Sequence, residues 1–498
     1  MCGIAGIVGT YSKSDVNQIR ENLSLISHRG PDDIGIAETK SGILGHVRLS
    51  IIDLNTGHQP MFNETGKVAI VFNGEIYNYQ ELRKKLSRHR FRTNSDTEVI
   101  LHLYEEFGPE CASMLDGMFS FVILDNEEVF MARDPLGIKP LYYAQKDERI
   151  YFSSEIKGLQ EIVKRMKEFP HGHYYYSKSG FIPYFHWKKS NDRRLQNVED
   201  ASQLLHDTLH KSVEKRLMSD VPVGVFLSGG LDSSLIACIA RKYIPKLHTF
   251  SVGVKGSLDL KYARQVSDYL GTIHHEIIYT EEDMKRLLPE VIYYLESYDV
   301  ALMRSAIPGF IVSRLAKDYV KVVLCGEGAD ELFSGYDYLR EFKTEPALYK
   351  ELLTITQELH NTNLQRVDRT TMAHGIEGRV PFLDIQMIRT AFSIPLEWKL
   401  YENGNSWEKW ILRKAFENEL PEEVIWRKKM KFSKGTGSSE IFKIIADKEI
   451  PDSQFHQEQK QNKSASIRTK EELYYYYIFR EKYPHKSTLS LIGRSHSI

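Results

Sequence analysis

The sequence predicts two domains of different class, an α+β domain followed by an α/β domain, and three observations lead there. Short apolar runs bounded by turn residues dominate the first part, a polar stretch interrupts the chain, and strand-sized and helix-sized segments alternate beyond it. The 498 residues suffice for two large domains at roughly 150 residues or more each. Apolar residues make up 42% and charged residues 27%, which excludes collagen-like and disordered classes. Lys+Arg total 66 against Asp+Glu 67, a net charge of -1, so no charge excess steers the chain to nucleic acid or a membrane. A small-molecule substrate is expected.

The apolar runs Val68 to Phe72 and Met118 to Leu124 lie between Gly, Asn and Asp clusters and read as strands. Helical periodicity interrupts them near Asp15 to Ile26 and Asp96 to Phe107. The polar run Lys188 to Arg194 places a linker at residues 189–198, between domains at 1–188 and 199–498. An amphipathic helix, Val198 to Leu217, then leads to a buried-type strand, Val221 to Leu227. A helix from Ser233, strand Leu247 to Val254, helix Leu258 to Leu270 and strand His274 to Tyr279 follow. Helices from Glu281 and from Ser305 and the strand Val320 to Cys325 complete a predicted parallel sheet, whose ligand-binding loops belong at the strands' carboxyl ends. From Tyr338 the chain is mainly helical; Gln454 to Ser466 reads as a mobile loop, and Thr469 to Glu472 as a capping box opening an aromatic-rich helix. No apolar run reaches the roughly 18 residues of a membrane span, and no secretory signal is read at the N-terminus. Cys2, Cys111, Cys238 and Cys325 are scattered without metal spacing, which fits free thiols in a reducing cytoplasm.

Two constellations carry chemistry. Strand Val221 to Leu227 runs into Ser228-Gly229-Gly230-Leu231-Asp232-Ser233-Ser234 and a helix, where paired glycines, hydroxyls and a helix N-terminus suit a phosphate or pyrophosphate. Strand Val320 to Cys325 leads into Gly326-Glu327-Gly328-Ala329-Asp330-Glu331, whose acidic groups suit metal chelation or general-base work. In the first domain Cys2 becomes an N-terminal nucleophile once Met1 is removed. Asn73 and Gly74 could form an oxyanion hole, Arg48 suits a carboxylate and Asp96 an ammonium group. Taken singly, each has a plainer reading: Cys2 a small strand residue, Arg48 a surface charge, Asp96 a helix N-cap.

Met-Cys-Gly-Ile-Ala-Gly, His28-Arg29-Gly30-Pro31-Asp32, Arg48-Leu49-Ser50-Ile51-Ile52-Asp53, Asn73-Gly74-Glu75-Ile76-Tyr77-Asn78 and Arg133-Asp134-Pro135-Leu136-Gly137 together resemble a class II glutamine amidotransferase domain. SGGLDSS, GEGADE and Arg379-Val380-Pro381-Phe382-Leu383-Asp384 resemble the synthetase domain of glutamine-hydrolysing asparagine synthetases. The resemblance implies an N-terminal-nucleophile hydrolase αββα sandwich, then a Rossmann-like parallel α/β ATP-pyrophosphatase domain with a helical C-terminal part. It implies Cys2, Asn73, Gly74 and Glu327 as catalytic residues, with Arg48, Asn73, Gly74, Glu75 and Asp96 holding glutamine. ATP is expected on Leu227, Ser228, Gly229, Gly230, Asp232, Ser233, Ser234, Val252, Cys325, Gly326 and Lys429. Mg²⁺ is expected at Asp232 and Asp330, and the aspartate α-carboxylate at Arg304. Ammonia would pass through an internal tunnel to a β-aspartyl-AMP intermediate, and the assembly would be a homodimer. A sister enzyme amidating another carboxylate would share these motifs and differ around Arg304 and Gly375 to Arg379. A non-catalytic homologue would not need Cys2, Asn73, SGGLDSS and Glu327 all intact.

Overall fold

Strand Gly3–Val8 is buried at every position, because it runs through the middle of a sheet covered on both faces. The computed structural model describes residues 2–187, 195, 197–342, 344–401, 407–430, 432–438 and 440–495. Gly3–Val8 pairs antiparallel with Gly42–Arg48 on one side and Arg149–Ser153 on the other, within a six-stranded sheet. A second six-stranded antiparallel sheet centres on Gly117–Asp125, flanked by Val68–Ile76 and Glu128–Arg133.

Side chains along Val68–Ile76 alternate between two apolar environments, as strand geometry requires. Ala69 and Val71 meet Ile4, Val8 and Leu44 between the sheets. Ile70 and Phe72 meet Leu82, Val99 and Leu103 of the helices Tyr79–Lys85 and Asp96–Phe107. Helix Lys13–Leu25 covers the other sheet, with Val16, Ile19 and Leu23 on Ala5, Ile7 and Val47. The four layers are the expected αββα sandwich.

The second domain holds a five-stranded parallel sheet in the order Ile273–Ile278, His248–Gly253, Val223–Phe226, Val322–Leu324, Glu377–Arg379. Helices connect its strands, as expected. Three expectations need correction. The helix expected from Ser305 starts at Val300, because Asp299 caps it by accepting from the Leu302 N–H at 3.0 Å. The expected loop Gln454 to Ser466 is instead the helix Asp452–Gln461 and a short 3₁₀ turn, Lys463–Ala465. That helix buries no residue, so it has no apolar stripe to read. At Thr469 only half the capping box forms: Thr469 accepts from the Glu472 N–H, while the Glu472 carboxylate turns to Arg468. The polar run at 188–194 lies outside the described residues. Among the described residues no helix is long and apolar enough to cross a membrane.

The domains meet through buried charge. Arg29 pairs with Glu155 at 2.7 Å and with Asp368 at 2.8 Å. Arg369 reaches Asp368 and Glu296, each at 3.0 Å, and Lys157 reaches Glu296 at 3.0 Å and Glu155 at 2.5 Å. Three cations face three carboxylates, and none of the six side chains is more than 3% exposed. Glu296 also accepts from the Ile156 and Lys157 backbone N–H groups. Removing one partner from such a set leaves a buried charge uncompensated, at a cost of about 3–5 kcal/mol. Glu296→Gln should therefore lower the free energy of urea unfolding by about that amount; an unchanged midpoint and slope would show that the network does not hold the domains.

Candidate active sites

Cys2 lies just before the first strand, at the wall of a small cavity of about 30 Å³ also lined by Arg48, Gly74, Glu75, Ser95, Asp96 and Glu377. Its backbone N–H donates to Asn73 Oδ1 at 3.1 Å, and its carbonyl accepts from Arg29 Nε at 3.0 Å. Because Cys2 N can only donate, it fixes the Asn73 amide with the oxygen toward itself. Asn73 Nδ2 is thereby left buried with no partner, a spare donor of the chemical kind that stabilises an oxyanion. Burial pushes the Cys2 thiol up from its ordinary pKa.

Of the expected glutamine-binding residues, Arg48, Gly74, Glu75 and Asp96 line this cavity, and Asn73 stands beside Cys2 behind its wall. Arg48 is buried, not a surface charge, and its guanidinium donates to the Asp53 carbonyl at 2.6 Å. Asp96 is not the helix cap, a part taken by Ser95. Burial instead pushes the Asp96 carboxyl up to about 6, although it accepts from the Ile76 N–H at 3.0 Å. Glu75 is held well above the usual carboxylate range by burial and by Asp96 beside it. The cavity as it stands is smaller than a glutamine side chain.

The second site is a cavity of about 870 Å³ at the carboxyl ends of the parallel strands, within the range of small-ligand pockets. Leu227, Ser228, Gly230, Asp232 and Ser233 line it from one loop, and Cys325, Gly326, Glu327 and Asp330 from another, with Val252, Arg304 and Lys429. Gly229 and Ser234 lie behind the wall. Gly229 has φ +66°, and a Cβ there would stand 2.4 Å from Ala263 N, so only glycine lets the loop lie on the helix Leu258–Leu270. Helix Leu231–Tyr243 starts without a side-chain cap, leaving its first N–H groups turned to the cavity end.

The acidic side chains Asp232, Glu327 and Asp330 that the two loops turn into this cavity already have cationic partners. Lys409 bridges Asp232 at 2.6 Å and Asp330 at 2.5 Å, and Lys429 reaches Asp330 at 2.6 Å. The two lysines hold the Asp330 carboxyl well below the usual range, while burial raises that of Asp232. Glu327 pairs with Arg366 at 2.5 Å, and burial raises its carboxyl too. Arg304 makes a two-pronged pair with Glu471 of the helix Lys470–Lys482, at 3.0 and 2.5 Å. A substrate carboxylate at Arg304 must share it with Glu471.

Sequence reasoning missed Lys409, Arg366 and Glu377. Lys409 and Arg366 carry no local signal, being two among 66 basic residues. Glu377 reaches the Cys2 cavity from the other domain, beside Arg379, which it accepts from at 2.5 Å.

Comparison with known proteins addresses both halves. A family model described as glutamine amidotransferase domain matches residues 1–186, and one described as asparagine synthase matches 204–345 and 337–489. Asparagine synthetase [glutamine-hydrolyzing] 2 of Arabidopsis thaliana is 40% identical, over 100% of this chain and 90% of its own length. The protein of that name from Oryza sativa subsp. japonica is 41% identical over 97% of this chain and 86% of its own. Asparagine synthetase [glutamine-hydrolyzing] of Zea mays is 40% identical over 100% and 89%. With both halves matched and the relatives aligned along nearly the whole chain, the protein belongs to the glutamine-hydrolysing asparagine synthetase family.

Proposed function

We propose that the protein makes asparagine from aspartate, taking nitrogen from glutamine and energy from ATP cleaved to AMP and pyrophosphate. One observation carries this reading: a single chain holds Cys2 beside the unpartnered Asn73 Nδ2, and a cavity of about 870 Å³ at the ends of a parallel sheet. With Met1 removed, the Cys2 α-amine, of pKa about 7.7–8.0, takes the thiol proton. The thiolate attacks the glutamine side-chain carbonyl, and the oxyanion forms against Asn73 Nδ2 and the Gly74 N–H. Ammonia leaves, and water releases glutamate from the thioester. Arg48 takes the glutamine carboxylate, while Asp96 and Glu75 take its ammonium group.

In the second cavity the aspartate β-carboxylate attacks the ATP α-phosphate and pyrophosphate leaves. Ammonia, carried inside the protein, then attacks the acyl carbon and AMP leaves. Glu327 is proposed to take the proton that this attack releases. Lys409 and Lys429 oppose pyrophosphate charge, and Arg304 orients the aspartate α-carboxylate. The donor set fits Mg²⁺: Asp232 Oδ1 is buried without a hydrogen-bond partner, and carboxylate oxygens are the hard ligands this ion prefers. Asp232 and Asp330 would hold it, and it would neutralise the pyrophosphate. The same reading includes a homodimer in the cytoplasm, domains 1–188 and 199–498, and no nucleic-acid or membrane partner.

Product analysis with ATP, glutamine and a panel of acidic amino acids tests the whole reading. Asparagine, AMP and pyrophosphate should form with aspartate, and Cys2→Ala should abolish synthesis from glutamine but not from ammonia. ADP and phosphate as products, or loss of both activities in the folded variant, would overturn it.

General acid–base groups contribute about 10²–10⁴-fold, so Glu327→Gln should lower ammonia-dependent synthesis by that factor while sparing glutamine hydrolysis. Near-normal synthesis would remove Glu327 from the mechanism.

Asp96, with its carboxyl near 6, binds an ammonium group only when ionised. Its ionised fraction falls about tenfold per pH unit below that value. The KM for glutamine should therefore rise steeply as pH falls through 6, and Asp96→Asn should raise KM and flatten that profile. A wild-type KM independent of pH there would refute the assignment.

A further inference from the structure

Far along the helix Asp96–Phe107 from Asp96 itself, two histidines and two carboxylates converge at a place the proposed reaction does not use. Their ligating atoms, one each from Glu64, His89, His102 and Glu105, all lie within 4.8 Å of one another. We propose that these four side chains form a binding site for one divalent transition-metal ion of the zinc class.

The distances suit such an ion. His102 Nδ1 lies 2.8 Å from Glu105 Oε2 and 3.8 Å from Glu64 Oε2. His89 Nδ1 lies 3.8 Å from Glu64 Oε1 and 3.7 Å from Glu105 Oε2. Ligands of a tetrahedral ion at about 2.1 Å stand roughly 3.4 Å apart, inside that spread, so small side-chain shifts complete the shell. Two imidazoles with two carboxylates are a donor set that zinc accepts and that magnesium or calcium, preferring all-oxygen shells, does not.

The outer contacts are those of a ligand set. Each histidine turns its second nitrogen to another carboxylate: His102 Nε2 faces Glu98 at 3.7 Å, and His89 Nε2 faces Glu106 at 3.4 Å. His102 Nδ1 itself donates to Glu105 Oε2 at 2.8 Å, while Nε2 has no hydrogen-bond partner among the described residues. An ion at Nδ1 would take the place of that proton and shift it to Nε2, toward Glu98. Asn63 Nδ2 donates to Glu105 Oε1 at 2.6 Å, and the Arg90 N–H donates to Glu64 Oε1 at 3.1 Å. His102 is held in place, 1% exposed, with its ring stacked on His89 at 4.3 Å and edge-on to Phe91 at 4.9 Å.

Charge favours a cation as well. Glu64, Glu98, Glu105 and Glu106 surround two imidazoles, and among the described residues none of the four forms an ion pair with lysine or arginine. The other histidine-containing cluster, His206, His210 and Glu419, differs on this point: Lys242 already sits 2.7 Å from Glu419. An ion at the first cluster would tie the loops carrying Glu64 and His89 to the helix whose other end carries Asp96.

The test uses the full chain in a Cys2→Ser background, which removes the competing nucleophilic thiol. After chelator treatment it is titrated with Co²⁺, read by visible absorption, and with Zn²⁺, read by competition and by the thermal midpoint. One equivalent of Co²⁺ should bind with the spectrum of a four-coordinate ion, and Zn²⁺ should raise the midpoint. His89→Gln with Glu64→Gln changes two loop side chains, and a metal-free thermal midpoint and far-UV circular dichroism equal to the parent's check that the domain carrying them folds. This variant should lose that equivalent, binding more than about tenfold more weakly, and its midpoint should no longer respond to Zn²⁺. His206→Gln with His210→Gln should keep both responses. Identical Co²⁺ spectra and stoichiometry with and without His89 and Glu64, or no four-coordinate Co²⁺ in the parent chain, would overturn the proposal.

Discussion

The buried charge set between the domains is the constraint on which the rest of the arrangement depends. Arg29, Glu155 and Lys157 from one side meet Glu296, Asp368 and Arg369 from the other. No member can leave without stranding its partners away from water. Apolar packing of equal volume often stabilises as well as such pairs, whereas losing a single member is costly. Arg29 extends the set into chemistry, because its Nε also holds the Cys2 carbonyl. Asp368 lies two residues from Arg366, the partner of Glu327. One short helix, Asn363–Met372, thus touches the groups that fix both pockets.

The two pockets handle buried polarity in opposite ways. Around Cys2 the notable feature is an unmet donor, Asn73 Nδ2, on the residue whose amide oxygen accepts from the Cys2 N–H. Leaving it unpaired costs folding energy that an oxyanion would return. In the larger cavity Lys409, Lys429 and Arg366 already neutralise the acidic loop. A triphosphate arriving there would exchange one set of ionic partners for another, so neither charge is ever far from its opposite.

Much of this was legible in the sequence because it rests on local rules. The strand over the apolar run Val68 to Phe72 and the glycine-rich turn after Leu227 each follow from a few consecutive residues. So does the placement of Asp232 and Glu327 at strand ends. The helix over Asp452–Gln461 was not legible, since a helix that buries nothing leaves no periodic trace. Lys409 was not legible either: its role comes from lying between carboxylates 177 residues away and nearer, a juxtaposition that only folding creates. The Arg304–Glu471 pair escaped for the same reason, and it changes what the arginine can offer a ligand.

The back wall of the Cys2 pocket comes from the neighbouring domain. Glu377 lines the cavity, and Arg379 donates to Glu75 at 3.0 Å, although both belong to the last strand of the parallel sheet. The boundary between catalytic units therefore does not coincide with the boundary between folding units. A graft that moved the amino-terminal half onto a different synthetase would carry the nucleophile along and leave part of its pocket behind. Recombination during evolution would meet the same obstacle, which ties the inheritance of the two halves together more tightly than their separate architectures suggest.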